Sequence, residues 1–187
     1  MRTLAITQNI TVDGVIELAD DWFRPAGSDG DDQADVLQAL QAQDSHSDAL
    51  LLGRRTFEDF RGYWPLQTDD QTGITDQLNR VTKYVVSSTM TDPRWQHSVI
   101  LSGSLVEEVS SLQRADGRDI VCTGSISVTH ELLRAGLVDE LRLFVYPVVV
   151  GRGARLIPDG VALPDLELIE CRAFRSGVTL QQYRIRR

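Results

Sequence analysis

The chain has 187 residues, of which 42% are hydrophobic and 25% charged, and its formal net charge is −8. This length suits one sizeable core, and no apolar run approaches the roughly 20 residues that cross a bilayer. The acidic balance argues against a nucleic-acid partner, whose phosphates require a basic face. We therefore expect a single domain, residues 1–187, that binds a small molecule and neither nucleic acid nor membrane.

The N-terminus and the cysteines point to a cytoplasmic protein. A strand-like segment begins at Thr3, so no signal peptide is expected. Cys122 and Cys171 lie far apart in apolar segments, which is typical of reduced thiols. Neither has metal-ligand spacing with a histidine, so no metal site is predicted.

Strand-like segments alternate with helical patterns over most of the chain. The predicted strands are Leu4–Ile10, Ala49–Leu52, Lys83–Ser87, Ser98–Leu101, Asp119–Thr123, Glu140–Val149, Leu166–Ala173 and Val178–Ile185. Apolar residues at helical spacing predict helices at Val36 to Leu40, Ile74 to Val81, Leu105 to Leu112 and Ile126 to Ala135. The alternation predicts an α/β fold, a three-layer α/β/α sandwich around a mostly parallel sheet of about eight strands. Ser176-Gly177 predicts a hairpin, so the C-terminal strands should be antiparallel.

The second strand leads into a pattern that favours an anion. Leu50-Leu51-Leu52 stops at Gly53, and Arg54, Arg55 and Thr56 open a helix. A helix N-terminus presents free N–H groups to an anion, glycine permits close approach, and arginine offers a planar fork to phosphate oxygens. The alternative is an ordinary strand–helix junction with two solvated arginines.

Two later strands end in small polar residues. Ser87-Ser88-Thr89 follows the third strand, where the hydroxyls could meet a ribose phosphate or be solvated turn residues. Thr123-Gly124-Ser125 follows the fifth strand, and its small side chains would let a diphosphate or a nicotinamide lie against the main chain. A serine there is also a common helix cap. No Gly-x-Gly-x-x-Gly follows the first strand, so the chain lacks the doubly wound dinucleotide fingerprint.

The sixth strand contains Pro147, which cannot donate to a central ladder and predicts a bend or bulge. Gly151-Arg152-Gly153 follows. No clear helix start comes after it, so it favours a structural turn beside a ligand cleft over a phosphate loop.

In order and spacing, these segments resemble the dihydrofolate-reductase-like proteins, especially the branch that includes the reductase domain of bacterial riboflavin synthesis. The resemblance spans nearly the whole chain. It is carried by Val12 to Glu17, Leu52 to Phe57, Tyr63 to Pro65, Lys83 to Thr89, Thr123 to Ser125, Ala135 to Leu141 and Tyr146 to Gly153. It implies a dihydrofolate-reductase-like fold and a homodimer.

The resemblance also implies that NADPH binds across the carboxyl edge of the sheet. The adenosine-side phosphates would contact Gly53, Arg54, Arg55 and Thr56, and the 2′-phosphate would contact Ser87 and Ser88. The diphosphate and the nicotinamide ribose would contact Thr123, Gly124, Ser125 and Ile126. The nicotinamide ring would contact Gly14, Val15 and Ile16.

A reductase also needs help in protonating the atom beside the reduced carbon. Asp13, at the end of the first strand, is the catalytic candidate, with a plain turn residue as its alternative. Glu17 is a weaker candidate. Asp20, Asp21 and Asp35 lie in the stretch where folate reductases carry their acid, and spacing does not choose among them.

Candidate substrate-binding residues are aromatic or cationic. Trp22 and Trp64 could stack on a planar heterocycle, or pack in the core or at its rim. Arg152, and with it Arg155, could bind a substrate phosphate.

Together these features predict an NADPH-dependent reductase of a pterin- or pyrimidine-like heterocycle. One candidate substrate is 5-amino-6-(5-phosphoribosylamino)uracil, the riboflavin intermediate. No deaminase domain is recognised in the sequence, which favours a stand-alone reductase over the dedicated riboflavin enzyme. The alternative is a nucleotide-binding module or sensor of the same fold without efficient catalysis, because the residues identify no acid unambiguously.

Overall fold

The central sheet follows from the alternation of apolar strands and amphipathic helices. A computed structural model describes residues 1–18, 22–23 and 33–186, so Asp20 and Asp21 lie outside the described residues. The strands are β1 (Leu4–Thr11), β2 (Ser47–Gly53), β3 (Thr82–Val86), β4 (Ser98–Leu101), β5 (Asp119–Thr123), β6 (Glu140–Tyr146), β7 (Leu166–Ala173) and β8 (Thr179–Ile185). The helices are α1 (Ala34–Asp44), α2 (Arg54–Tyr63), α3 (Ile74–Arg80), α4 (Leu105–Arg114) and α5 (Ile126–Arg134).

The eight strands lie in the order β4-β3-β2-β5-β1-β6-β8-β7. Strands β1 to β6 are mutually parallel, whereas β8 runs antiparallel to both β6 and β7. The predicted fold class is thereby confirmed, including the C-terminal hairpin, whose turn places Gly177 at φ +84°. The sixth strand ends at Tyr146 rather than at the predicted Val149, because Pro147 has no N–H for the ladder.

Helices cover both faces of the sheet because successive strand residues point to opposite sides. Leu51 and Cys122 pack toward α4 and α5. Their chain neighbours Leu50 and Val121 pack on the other face, with α2 and α3. On that same face α1 packs over β6 and β8, against Phe144.

The connections reverse direction between β1 and β5. The chain leaves β1 through α1 toward β2, on one side, and leaves β5 through α5 toward β6, on the other. Such a switch point opens a crevice outside the carboxyl ends of the two strands, where α/β proteins bind ligands. None of the described helices has the length and apolar character needed to span a membrane.

Lys83 is fully buried beneath α3 without a carboxylate among its hydrogen-bond partners. Its ammonium donates to the carbonyls of Leu78 and Val81, at 2.6 and 2.9 Å, and lies 4.6 Å from the ring centre of Trp95. Burial lowers the pKa of Lys83 to about 8. The amine therefore caps the carbonyls at the C-terminal end of α3, although its burial disfavours the charged form.

This arrangement predicts that stability rises with pH above 8. Between pH 8 and about 10.5 the folded chain loses the Lys83 proton while the unfolded chain still keeps it, so the free energy of unfolding should increase by about 1–3 kcal/mol. Urea unfolding of wild type and Lys83→Met at pH 7 and pH 10 measures this gain. An equal gain in Lys83→Met would contradict the assignment.

Candidate functional site

A single serine joins the turns that follow β2 and β5. The Gly53 N–H donates to Ser125 Oγ at 2.6 Å, and that hydroxyl donates to Thr56 Oγ1 at 3.0 Å. Ser125 is only 4% exposed. We call Gly53, Thr56 and Ser125, with Gly124, the serine clasp, because their contacts hold the N-termini of α2 and α5 side by side.

Both glycines of the serine clasp are needed where the two turns touch. A Cβ at Gly53 would lie 3.0 Å from Ser125 Oγ and 3.3 Å from Val128 Cγ2. Gly124 has φ +70°, and a Cβ there would lie 2.9 Å from Thr56 Cγ2. The two glycines were predicted to let a ligand approach the main chain. In the structure, the space beside each glycine is occupied by side chains of the opposite turn and its helix.

The serine clasp forms the floor of a cavity of about 950 Å³ over the carboxyl edge of β2 to β5. The cavity gathers most of the predicted cofactor-binding residues. Those that line it are Gly53, Arg54, Arg55, Thr56, Ser87, Ser88, Gly124, Ser125 and Ile126. Thr123 does not line the cavity, but it immediately precedes the lining residue Gly124.

The cavity is suited to an anion. The ten-residue helix α2 and the nine-residue helix α5 both direct their N-termini at it. Arg55 is exposed and forms no ion pair with any residue that the structure describes. Arg54 instead pairs with Glu58 at 3.3 Å, one helical turn away. Arg55 is therefore the cation at this edge that is available to a phosphate.

The hydroxyls of the two serines after β3 differ in how accessible they are to a ligand in the cavity. Ser87 is buried, and its Oγ accepts the N–H groups of Thr89 and Met90 at 3.3 and 3.0 Å. Its oxygen thus shapes the turn, although its hydroxyl hydrogen can still donate. Ser88 is exposed at the cavity.

Sequence reasoning missed part of the cavity wall. Ser102 and Gly103, which precede α4, line the cavity, and so do His130 and Glu131 of α5. The signal for the first pair was present, because Leu101-Ser102-Gly103-Ser104 repeats the pattern of an apolar strand, a glycine and a helix start. His130 Nε2 is 2.7 Å from the Arg155 carbonyl and must donate to it.

Strands β1 and β6 extend beyond the end of β5 and bound the crevice beside this cavity; we call this extension, Gln8 to Thr11 with Leu143 to Tyr146, the overhang. The last paired residues of β1 and β5 are Thr7 and Thr123, whereas β1 continues to Thr11, opposite Tyr146. Four residues extend a strand by about 13 Å. The main-chain groups of Asn9 point toward β5 but lie beyond its end, so an N–H and a C=O face the crevice.

The turn after β1 is held by the loop that follows β6. Ile16 N–H donates to the Ala154 carbonyl and Leu156 N–H to the Gly14 carbonyl, both at 2.9 Å. Val15 and Ile16 are buried. None of Gly14, Val15 and Ile16 lines the 950 Å³ cavity, so the predicted nicotinamide contacts lie apart from the predicted phosphate contacts.

Asp13 anchors the same loop. Its carboxylate accepts the Thr11 hydroxyl at 2.6 Å and the N–H groups of Gly151 and Val150 at 2.8 and 3.3 Å. These hydrogen bonds, that of Thr11 first, lower the pKa of Asp13 to about 2. A carboxylate held ionised in this way carries no proton to donate at neutral pH. The geometry therefore argues against Asp13 as the catalytic acid and favours its alternative, the turn residue.

The other described acid candidates also have structural partners. A Glu17 oxygen accepts the Ala154 N–H at 2.9 Å. Asp35 accepts the Arg175 and Val36 N–H groups, both at 3.0 Å, and its pKa is lowered chiefly by the bond from Arg175.

The two tryptophans lie in different places. Trp22 contacts Tyr146 edge to face with ring centres 5.6 Å apart, at the overhang. Trp64 follows the C-terminus of α2, about 15 Å along the helix from Arg54, and packs against Tyr63 and the core. Trp64 is therefore poorly placed to contact a substrate bound near the N-terminus of α2.

The two predicted substrate arginines belong to the loop after β6. Arg155 donates to the Asp13 carbonyl, and Arg152 is exposed in the same loop. Neither lines the 950 Å³ cavity.

Comparison with known proteins identifies the family and the fold. The family model of the RibD C-terminal domain matches residues 2–180. The uncharacterized YyaP protein of Bacillus subtilis (strain 168) is 33% identical over 133 residues, which are 70% of each chain.

Two crystal structures share the fold. A protein of Shewanella sp. PV-4 assigned to riboflavin biosynthesis is 20% identical and superposes with a TM-score of 0.71 over 99% of both chains. Dihydrofolate reductase of Enterococcus faecalis, in complex with NADP(H), is 17% identical with a TM-score of 0.64, over 99% of this chain and 97% of that one.

The serine clasp predicts a stability difference between two neighbouring serines. Ser125→Ala leaves the Gly53 N–H without its acceptor and should lower the free energy of unfolding by about 1–3 kcal/mol. Ser127→Ala, an exposed position on the same helix, is the matched control and should change it by less than about 0.5 kcal/mol. Urea unfolding measures both, and equal stabilities would show that the hydroxyl does not join the turns.

Proposed function

Because the chain belongs to the RibD C-terminal domain family, we propose that it is an NADPH-dependent reductase of a small planar heterocycle. The observation that carries the proposal is the 950 Å³ cavity, where two helix N-termini and Arg55 meet beside the switch-point crevice. Arg55 and the N-terminal N–H groups of α2 and α5 supply the positive potential that the diphosphate of a dinucleotide requires.

The proposed roles follow the placement of the residues. Arg55 and the N-terminal N–H groups of α2 and α5 bind the phosphates, and Ser88 lies where a further phosphate can reach it. Bound NADPH supplies a hydride at its nicotinamide ring. The main-chain N–H and C=O of Asn9 are matched to the carboxamide of that ring, and the turn at Gly14 closes the crevice beside it.

A planar heterocycle is the substrate class that suits the crevice. Its floor consists of half-buried Thr7, Asn9 and Thr123, which lie between α1 and α2. Trp22 and Tyr146 offer aromatic surface at the overhang. The riboflavin intermediate would also need a cation for its ribose phosphate, and exposed Arg152 is the proposed one.

One observation favours the second candidate, a nucleotide-binding module without efficient catalysis. Asp13, Glu17 and Asp35, the described carboxylates nearest the crevice, all accept main-chain hydrogen bonds. Oxidation of NADPH in the presence of a pterin or pyrimidine distinguishes the reductase from the module, which would bind NADPH without turnover.

We also propose that the protein is a cytoplasmic homodimer of single-domain subunits. The edge strand β7 supports a second copy as partner, because Leu166, Leu168 and Ile169 are between 41% and 54% exposed along it.

The proposal predicts unequal effects of the two neighbouring arginines. Arg55→Ala removes a cation that pairs with no carboxylate among the described residues, and it should weaken NADPH binding about 10- to 100-fold, the value of one charge-assisted hydrogen bond. Arg54→Ala should weaken binding less, because Arg54 already pairs with Glu58. Tryptophan fluorescence titrated with NADPH measures the dissociation constants.

The matched control is Arg134→Ala, which removes the same charge at the opposite end of α5. It should leave the dissociation constant within about twofold, since exposed charges more than a Debye length away are largely screened. The cavity assignment is contradicted if Arg55→Ala and Arg134→Ala bind NADPH equally well.

A further inference from the structure

The proposed reaction needs a proton as well as a hydride, and each described carboxylate among the candidate acids already has a structural partner. Asp13 is held ionised by Thr11 and the loop main chain, and a Glu17 oxygen accepts the Ala154 N–H. Asp35 faces Arg175 of the β7–β8 turn. Exposed Arg152 and Arg155, in the loop that follows β6, are further charged groups on the described elements around Tyr146.

Tyr146 offers a described phenolic hydroxyl at this edge. It ends β6 opposite Thr11, on the overhang that borders the crevice, and shares a face of the sheet with α1. The side chain is half-buried, and its hydroxyl makes no hydrogen bond with any residue that the structure describes.

The ring of Tyr146 is held in one place by two other aromatic rings. Trp22 and Phe23 both meet it edge to face at 5.6 Å, and they contact each other at 6.1 Å. Trp22 is itself fixed by its indole N–H, which donates to the Glu17 carbonyl at 2.9 Å. The Tyr146 ring thus lies against aromatic surface suited to a flat ring, and its hydroxyl has no hydrogen-bond partner among the described residues.

We propose that Tyr146 is a catalytic residue whose hydroxyl donates the proton that accompanies hydride transfer to the heterocycle. This inference rests on the proposed reductase function. The hydride of NADPH forms the new C–H bond at the carbon of a C=N bond, and the π electron pair moves to the nitrogen. The nitrogen takes the Tyr146 proton, the phenolate regains a proton from water, and NADPH leaves as NADP⁺.

Burial raises the pKa of Tyr146 to about 12. The hydroxyl therefore keeps its proton throughout the neutral range, and it gives the proton up only to a strongly basic atom such as a nitrogen receiving an electron pair. A carboxylic acid donor would behave differently, because it would lose its proton as the pH rose through its own pKa.

The test is steady-state kinetics of wild type, Tyr146→Phe and Tyr63→Phe with NADPH and two probe substrates, 7,8-dihydrofolate and 5-amino-6-(5-phosphoribosylamino)uracil. The phenylalanine keeps the ring contacts, so the variant should fold, which circular dichroism checks. We expect kcat of Tyr146→Phe to fall about 100-fold or more. Its NADPH dissociation constant should stay within twofold, and wild-type kcat should be flat from pH 6 to 10. Tyr63→Phe, at the far end of α2, should match wild type.

Each other outcome overturns the inference. Tyr146→Phe could retain a third or more of the activity, or wild-type kcat could fall with rising pH as for a carboxylic acid. Asp20→Asn or Asp21→Asn could lose as much activity as Tyr146→Phe. A wild-type protein that binds NADPH but reduces neither probe would also refute Tyr146 as donor, whereas failure to bind NADPH would refute the proposed function itself.

Discussion

The contact on which the rest of the site depends is the hydroxyl of Ser125, buried between two turns. It accepts the Gly53 N–H and donates to Thr56, so two helix N-termini that are about 70 residues apart in sequence face one cavity. With a side chain at Gly53 or Gly124 the turns could not approach this closely. The conjunction of two helix dipoles and Arg55 gives a local positive potential, suited to an anion, in a chain whose formal net charge is −8.

The second constraint is the unequal length of neighbouring strands. Because β1 and β6 continue four residues beyond the last pairing of β1 with β5, they form a wall at the switch point, and that wall carries Asn9 and Tyr146. The loop after β6 is held to the turn after β1 through Asp13, Glu17 and Arg155. The cavity and the crevice are thus separate surfaces that share the turn between β5 and α5.

Much of this could be predicted from the sequence, because strand–glycine–helix junctions and helical stripes are local signals. The β4 and β5 bounds match the predictions, and nine of the thirteen predicted cofactor-binding residues line the cavity. What could not be predicted depends on register and on distant partners. The ionised state of Asp13 depends on Thr11, two residues earlier, and also on Gly151, 138 residues later. Trp64 lies away from the cavity because α2 is ten residues long. The lining role of His130 and Glu131 depends on how α5 is rotated against the sheet.

The most direct measurement of the central claim is amide hydrogen exchange with and without saturating NADPH. If the serine clasp presents two helix N-termini to one diphosphate, exchange should slow together in residues 53–56 and 124–127, while the exposed strand β7 stays unchanged. Slower exchange in only one of the two turns, or in neither, would contradict the account.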